Sequence, residues 1–593
     1  MERSEVDVKY TWDLSKFYKS DELWYKDYNK FKKYLGVFKK YQGKLNNVDN
    51  LVEMLKVSKE CDLLVTRLYM YASNNLNTEL SNKTYNEMVG QLTNTLTQIE
   101  KEQSFVDPEL LSYSEDYLQS LLKEPRLKTY RFMIKNLIRD KKHVLSEQEE
   151  KLLSGVAGFA GDCGDVFDSL TDVDFKFEDV VDKDGVKHEL TSANYSLHLK
   201  SEDRVLRESA YKNFYGKFKD FNNTIFTNYL LNLKSDYFFS TARKYKDTFE
   251  AALYGGNISR RLYDKLLQKV HETLPVLEKY YTLRKTALGY DNLTFYDIGV
   301  SMVKDIDKKY TYEESQAIVL EALKPLGEYY NKLLNQAYDE RWIDVYPTKD
   351  KISGGYQTDG YGYTPIILLN FVGVIDDVYT LAHELGHAMH THFAQKHQPY
   401  ETYNYSIFLA EIASTFNEVL LTKYFLKNAK TDDEKLYYLD KYVKLVISTV
   451  YSQMQYSEFE QYAHNLVAKN LPISKEKLNE KYAELNAMYS KGVTQDEFKS
   501  YHWSIVPHFY RSFYVYKYAT GLISAITLAN KVLNGTKEDL DRYFKMLSSG
   551  GSDYSTNILK AAGVDLTKDE PYDIAFGELK DAIEQMEKIV YKG

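Results

Sequence analysis

Val378-Tyr379-Thr380-Leu381-Ala382-His383-Glu384-Leu385-Gly386-His387 is an apolar run that carries an H-E-x-x-H match on a predicted helix. At 3.6 residues per turn, positions i and i+4 lie about 40° apart, so His383 and His387 project from one face, one turn apart. That geometry suits two imidazoles gripping one zinc ion. Glu384 is turned by about 100° from His383 and can reach the attacking water without ligating the metal itself. With 12 histidines in 593 residues, chance supplies on the order of 0.02 such matches per chain. The motif is therefore read as chemistry rather than as two histidines on an ordinary helix.

Catalytic zinc takes three protein ligands and keeps a position open for water. Downstream, Phe408-Leu409-Ala410-Glu411-Ile412-Ala413-Ser414-Thr415-Phe416-Asn417-Glu418 places two acids on nearly one face of another predicted helix. Both sit among apolar neighbours, where an unpaired carboxylate is costly to bury and a cation removes the cost. Glu411 follows His383 by 411 − 383 = 28 residues, room for a helix, a turn and a returning helix. It is expected as the third ligand, with Glu418 orienting an imidazole; the plain alternative for both is salt-bridged helix acids. His390 shares the face of His387 and is the alternative ligand. A straight helix does not readily wrap three successive turns around one small tetrahedral ion, so His390 is placed beside the site.

A third cluster is Pro507-His508-Phe509-Tyr510-Arg511-Ser512-Phe513-Tyr514-Val515-Tyr516-Lys517-Tyr518. Tyr510, Tyr514 and Tyr518 fall at i, i+4 and i+8, which predicts one phenolic stripe with His508 just ahead of it. Such groups donate hydrogen bonds to an oxyanion, each often contributing about 3–4 kcal/mol. In a chain with 55 tyrosines the bland reading is aromatic packing.

Outward from these motifs the chain reads as mainly α. Helical spacing runs from Leu14 to about Lys101 as stacked antiparallel helices, and Ser146 with Glu149 forms a capping-box pattern. The period changes at Asp172-Val173-Asp174-Phe175-Lys176-Phe177, and the Asp182-Lys183-Asp184-Gly185 turn leads into Val186-Lys187-His188-Glu189-Leu190, which predicts a β-hairpin. Helix resumes from Glu202 to about Leu288. Thr364 to Phe371 reads as an apolar strand after the glycine-rich Gly354-Gly355-Tyr356 and Gly360-Tyr361-Gly362, an element suited to pairing with an extended ligand. From Asp376 to Lys588 the pattern is helical, broken at Ser548-Ser549-Gly550-Gly551-Ser552.

Composition narrows the class. A net charge of −9 argues against a broad nucleic-acid-binding surface. No apolar stretch reaches the roughly 18 residues needed to cross a bilayer, and the N-terminus has no signal-like apolar segment. Two cysteines cannot staple a secreted scaffold of this size, which points to a reducing compartment and a cytoplasmic location. No nucleic acid or membrane is expected as a partner, and the oligomeric state is left open.

Four ordered segments resemble oligoendopeptidase F, within the thimet-oligopeptidase-like zinc metallopeptidases. They are Tyr10-Thr11-Trp12-Asp13-Leu14, Asp376 to His387, Phe513 to Gly521, and Leu547-Ser548-Ser549-Gly550-Gly551-Ser552-Asp553-Tyr554. The resemblance implies a mainly α, elongated two-lobed shell around a deep central channel, with a small β element near the active site. It suggests a helical region over 1–110, a helical region with the hairpin over 111–200, and a metallopeptidase domain over 201–593. It implies hydrolysis of internal bonds in short to medium oligopeptides, with one zinc per chain on His383, His387 and Glu411 and with Glu384 as acid and base. His508 matches the family's transition-state histidine, and His390 matches one commonly found after the motif. Tyr514 and Tyr518 are expected at the transition state, Tyr510 and Tyr516 at the substrate, although these four tyrosines compete for the family's positions. Gly354, Gly355 and Tyr356, with the strand Ile366 to Phe371, resemble the edge that binds substrate backbone. The rival readings are a zinc carboxypeptidase or dipeptidase on the same scaffold, and a helical peptide-binding protein without catalysis.

Overall fold

The computed structural model describes residues 1–303 and 308–592. Helices account for 71% of the residues and strands for 2%, so the protein is mainly α as expected. The chain divides into two compact units, each assembled from separated stretches. The first comprises Met1–Val144, Lys308–Tyr424 and Leu528–Val564; the second comprises Leu145–Asp307, Phe425–Thr527 and Asp565–Gly593. The helices that matter below are α1 (Val48–Thr78), α2 (Lys83–Gln103), α3 (Glu147–Ala160), α4 (Arg204–Asp220), α5 (Asn222–Ala242) and α6 (Arg260–Ala287). They continue as α7 (Ile375–His397), α8 (Ile407–Asn428), α9 (Asp432–Val446), α10 (Ser452–Ala468) and α11 (Tyr516–Asn534). Among the described residues no helix is long and apolar enough to cross a membrane.

In the first unit, α1 and α2 begin where asparagines cap their free N–H groups: Asn47 accepts from Asp49 and Asn50, and Asn82 accepts from Tyr85. Their apolar faces enclose Trp24, which is fully buried and donates its indole N–H to the Leu68 carbonyl at 2.8 Å. A small sheet completes this unit. β3 (Ile343–Asp344) runs parallel to β5 (Ile366–Leu368), and β4 (Tyr356–Thr358) pairs antiparallel to β5 with Gln357 opposite Ile367. β5 is central and wholly buried, which explains its continuous Ile-Ile-Leu run, and β4 is an edge.

In the second unit, α3 starts at Ser146 with the reciprocal Glu149 contact read from the sequence. The expected hairpin is present but displaced: β1 (Val180–Val181) pairs with β2 (Lys187–His188), with Gly185 at φ +77° in the turn. Asp172 to Phe177 is not a strand, contrary to its alternation. Ser169–Asp174 winds as a π-helical turn, and Phe175 and Phe177 anchor on α4, packing on Phe218 at 5.1 Å and Phe214 at 5.2 Å. Aromatic residues spaced by two found a helix face instead of a neighbouring strand. Ion pairs on buried acids tie the helices to their surroundings: Arg207 and Arg204 of α4 meet Asp297 in the turn after α6, each at 2.8 Å, and Arg284 of α6 meets Asp440 of α9 at 3.0 Å.

The sheet is pinned by charge as well as by packing. Asp344, at the end of β3, is completely buried and receives Arg3 in a two-point contact and Lys351 at 2.7 Å. Removing Asp344 strands the fully buried Lys351 and leaves the partly exposed Arg3 without its partner. Asp344→Ala is therefore expected to destabilise the protein by about 3–5 kcal/mol, read as a lower denaturation midpoint, whereas Asp541→Ala at the exposed pair with Lys537 should change it by less than about 1 kcal/mol.

Candidate metal centre

The turn from β5 into α7 is built by one side chain. Asp377 Oδ2 accepts the N–H groups of Val372, Gly373 and Val374 at 2.8, 2.7 and 3.0 Å, capping the helix. Gly373 has φ +86°, and a Cβ there would meet the Tyr310 carbonyl oxygen at 2.9 Å, so only glycine fits. His383 follows about two turns later.

Gly386, inside the motif, lets α7 and α8 touch backbone to backbone. A Cβ at this position would lie 2.6 Å from the Ala413 oxygen and 2.6 Å from Ser414 Cα. The close crossing carries Glu411 of α8 to the two imidazoles of α7. His383 Nε2 lies 3.2 Å from His387 Nε2 and 3.5 Å from Glu411 Oε2, and His387 Nε2 lies 3.9 Å from the same oxygen. Three donors bound at about 2.0–2.2 Å to one tetrahedral ion stand about 3.3–3.6 Å from one another. The set therefore fits a zinc-sized cation.

The remaining ring nitrogens are engaged elsewhere, which aims both Nε2 atoms at one point. His383 Nδ1 meets Glu418 Oε1 at 2.5 Å, and His387 bonds the Ala410 carbonyl. Burial opposes charge on His383, but the hydrogen bond and field of Glu418, joined by Glu384 and Glu411, raise it to about 9. A proton there answers the same negative field that would hold a metal. Burial and the neighbouring His383 push His387 down to about 3. Side-chain exposures of 24%, 16% and 35% for His383, His387 and Glu411 leave one side open to a substrate.

Glu384 is 7% exposed, lies within the field of His383, Glu411 and Glu418, and accepts the Gln357 N–H of β4. Burial lifts its carboxyl to about 7, His383 opposes this, and Glu411 and Glu418 add to it. His390 lies outside the cluster. It is wholly buried, its ring lies parallel to Tyr405 at 3.6 Å, and neither nitrogen has a hydrogen-bond partner. Burial pushes it down to about 3, so it packs as a neutral ring against Tyr405.

Gly354 and Gly355, with Leu369, Phe371 and Thr380, line a cavity of about 200 Å³ beside the first turns of α7. Tyr356 corrects its expectation in part: its backbone opens the edge strand, but its phenol turns to α1, bonded to Asn74 at 2.9 Å and Asn77 at 2.7 Å. Alternation along β4 dictates this.

The late aromatic segment belongs to the second unit, and its tyrosines do not form the expected helical stripe. Tyr510 ends a tight turn over Pro507–Tyr510, Phe513 takes φ +57°, and α11 begins only at Tyr516. A left-handed residue breaks the helical register that the spacing suggested. His508, Tyr514 and Tyr518 nevertheless gather, with ring centroids 5.4–6.3 Å apart. Tyr510 is held elsewhere by Asn228 at 3.2 Å and by Phe167. Tyr516 is 0% exposed with its ring on Tyr263, so it is a packing residue and not a substrate contact.

Sequence reading passed over Gln357, the Ala410 carbonyl, Gly386, and Asn417, which donates to the Ala382 carbonyl at 3.0 Å. Gly386 and Asn417 carried a signal, being a small and a polar residue on apolar helix faces. The two backbone groups carried none.

Two substitutions test this construction. Glu418→Gln should weaken metal binding by about 10–100-fold, and Gly386→Ala, which forces the helices apart, should weaken it at least as much. Competition with a chromophoric chelator reads both, and parental affinity in Gly386→Ala would contradict the backbone-contact account.

Residues 197–578 match the profile described as Peptidase family M3, and residues 109–177 match that of Oligopeptidase F. Over its full length the chain is 36% identical to Oligopeptidase PepF of Bacillus subtilis, covering 89% of that protein. It is 35% identical to Group B oligopeptidase PepB of Streptococcus agalactiae, covering 100% of this chain and 99% of that one. Among solved structures, a Chlamydophila abortus peptidase superposes with a TM-score of 0.93 at 31% identity, covering 99% of each chain. Oligoendopeptidase-F from Enterococcus faecium gives 0.75 at 29% identity, covering 97% of this chain and 100% of that one. A full-length likeness of this order, joined to two imidazoles and a carboxylate converging at metal-ligand spacing, means that the chain belongs to peptidase family M3, among the metallopeptidases related to oligoendopeptidase F.

Proposed function

We propose that this peptidase is a zinc-dependent endopeptidase acting on internal bonds of short to medium oligopeptides, with one zinc ion per chain held by His383, His387 and Glu411. The observation that carries the reading is the near-tetrahedral spacing of those three donor atoms with Glu384 beside them. The relatives' names, oligopeptidase and oligoendopeptidase, support the substrate class. Both cysteines are free, in keeping with a cytoplasmic setting.

Zinc, when bound, supplies a Lewis acid that makes water a competent nucleophile near neutral pH and polarises a carbonyl. The protein's own groups do the rest. Glu418 fixes the His383 tautomer so that Nε2 keeps its lone pair for the cation. With its Gln357 N–H already given to Glu384, the edge of β4 has the Gln357 carbonyl left to meet an extended peptide, and the cavity beside Gly355 accepts a modest side chain. Glu384, as carboxylate, takes the proton of the attacking water and passes it to the departing amine nitrogen. His508, kept neutral by burial and by Arg511, donates with Tyr514 and Tyr518 to the oxyanion of the tetrahedral intermediate.

Glu384→Gln should retain metal and lose about 10²–10⁴-fold in kcat, measured with a quenched oligopeptide. Unchanged turnover would remove Glu384 from this role. Because the base is the carboxylate and burial raises its pKa, kcat/KM should climb with pH on the acid limb by about tenfold per unit, and that limb should vanish in the Gln variant. A chelator should abolish hydrolysis and added zinc restore it. Mass analysis of products from one peptide of about ten residues decides between internal cleavage and terminal trimming; stepwise loss of one or two terminal residues would establish the exopeptidase reading instead.

A further inference from the structure

Behind the segment that carries His508 and Tyr514 lies a group of buried polar side chains that the chemistry above does not use. Glu460 and His464 stand one turn apart on α10, and Asp236 lies on α5. Glu460 is 1% exposed and His464 5%, and Glu460 Oε2 and His464 Nδ1 have no hydrogen-bond partner. Elsewhere in this unit buried acids are met by arginines, as at Asp297 and Asp440. Here burial shifts the carboxyls upward instead. Burial lifts Glu460 well above the carboxylate range and Asp236 to about 6, and pushes His464 down to about 3. Retaining such groups in a core is costly unless they hold something.

What they hold is backbone. Phe513, with φ +57°, donates its N–H to Glu460 Oε1 at 2.6 Å. The Ser512 hydroxyl donates to the Asp236 carboxylate, which also accepts Asn232 Nδ2 at 2.9 Å, and it lies 3.3 Å from His464 Nε2. The Phe513 ring is set between Phe249 and His464, with centroids 4.8 Å from each. A left-handed conformation is unfavourable for a residue with a Cβ and persists where its surroundings over-determine it. This one redirects the chain between the Pro507–Tyr510 turn and α11, bringing the Tyr514 ring to 6.3 Å from His508.

We infer that Glu460, Asp236 and His464 are positioning residues that act through Phe513 and Ser512 to set how His508 and Tyr514 meet the transition state. The inference rests on the donor roles proposed for His508 and Tyr514. Glu460→Met removes the acceptor at similar volume, Glu460→Gln keeps it, and Ser512→Ala deletes a half-buried hydroxyl with little risk to folding. For each variant, kcat and KM on a quenched oligopeptide, bound zinc and the thermal midpoint are measured, with His508→Ala alongside. Glu460→Met and Ser512→Ala should lower kcat by about tenfold or more with KM within about twofold, because misplaced donors are lost in the transition state and not in ground-state binding. Zinc content should stay parental, and Glu460→Gln should recover kcat to within about threefold. Parental kcat in Ser512→Ala together with folded Glu460→Met overturns the inference, as do equal losses in the Gln and Met variants; if the Met variant does not fold, Ser512→Ala decides alone. Parental kcat in His508→Ala overturns the donor roles and this inference with them, whereas a loss there beside parental kcat in both Ser512→Ala and folded Glu460→Met overturns the positioning role only.

Discussion

The metal centre depends on the backbone contact between α7 and α8 at Gly386. With no side chain between them, the helices approach until the Ala413 carbonyl and Ser414 Cα occupy the space a Cβ would need. That approach brings an acid from one helix within 3.5 Å of an imidazole on the other. It also concentrates charge. Glu384, Glu411 and Glu418 all act on His383, and their combined field makes an isolated neutral state unfavourable there. A cation would relieve this repulsion, so the proximity that shapes the candidate site also favours a metal there.

The small sheet contributes position rather than bulk. Its central strand is buried and leads through the Asp377 cap into α7, while its edge strand places the Gln357 N–H on Glu384. One antiparallel pair thus joins the Glu384 carboxylate to the edge strand of the sheet. The salt-bridged Asp344 holds β3 from behind through Arg3 and Lys351, so residues near the N-terminus help fix a motif almost four hundred positions away.

Buried acids fall into two groups with different consequences. Asp297 and Asp440 face guanidinium groups, and these hold their carboxyls below the usual range despite burial. Glu384, Asp236 and Glu460 have no such partner and are shifted upward by burial. The first group cross-links helices. Of the second group, Glu384 adjoins the candidate metal ligands, and Asp236 and Glu460 lie under the His508 segment.

Much of the site was legible in the sequence because helical periodicity is local. It put His383 and His387 on one face, offset Glu384, and marked Glu411 and Glu418 as acids in an apolar helix that needed a partner. The turn at Gly185 was legible for the same reason, but the flanking aromatic alternation was not a strand, because Phe175 and Phe177 pack against a helix contributed from farther along the chain. Tyrosines at intervals of four promised a stripe that Phe513 interrupts, and no side-chain pattern announces a left-handed backbone sustained by acids on two other helices. The amino-acid order by itself therefore determined which donors exist and which share a helix face, since those follow from a 3.6-residue turn. Only the tertiary structure decided which carboxylate meets which imidazole, which phenol is buried and which backbone N–H reaches Glu384, because each depends on segments brought together by packing across hundreds of residues.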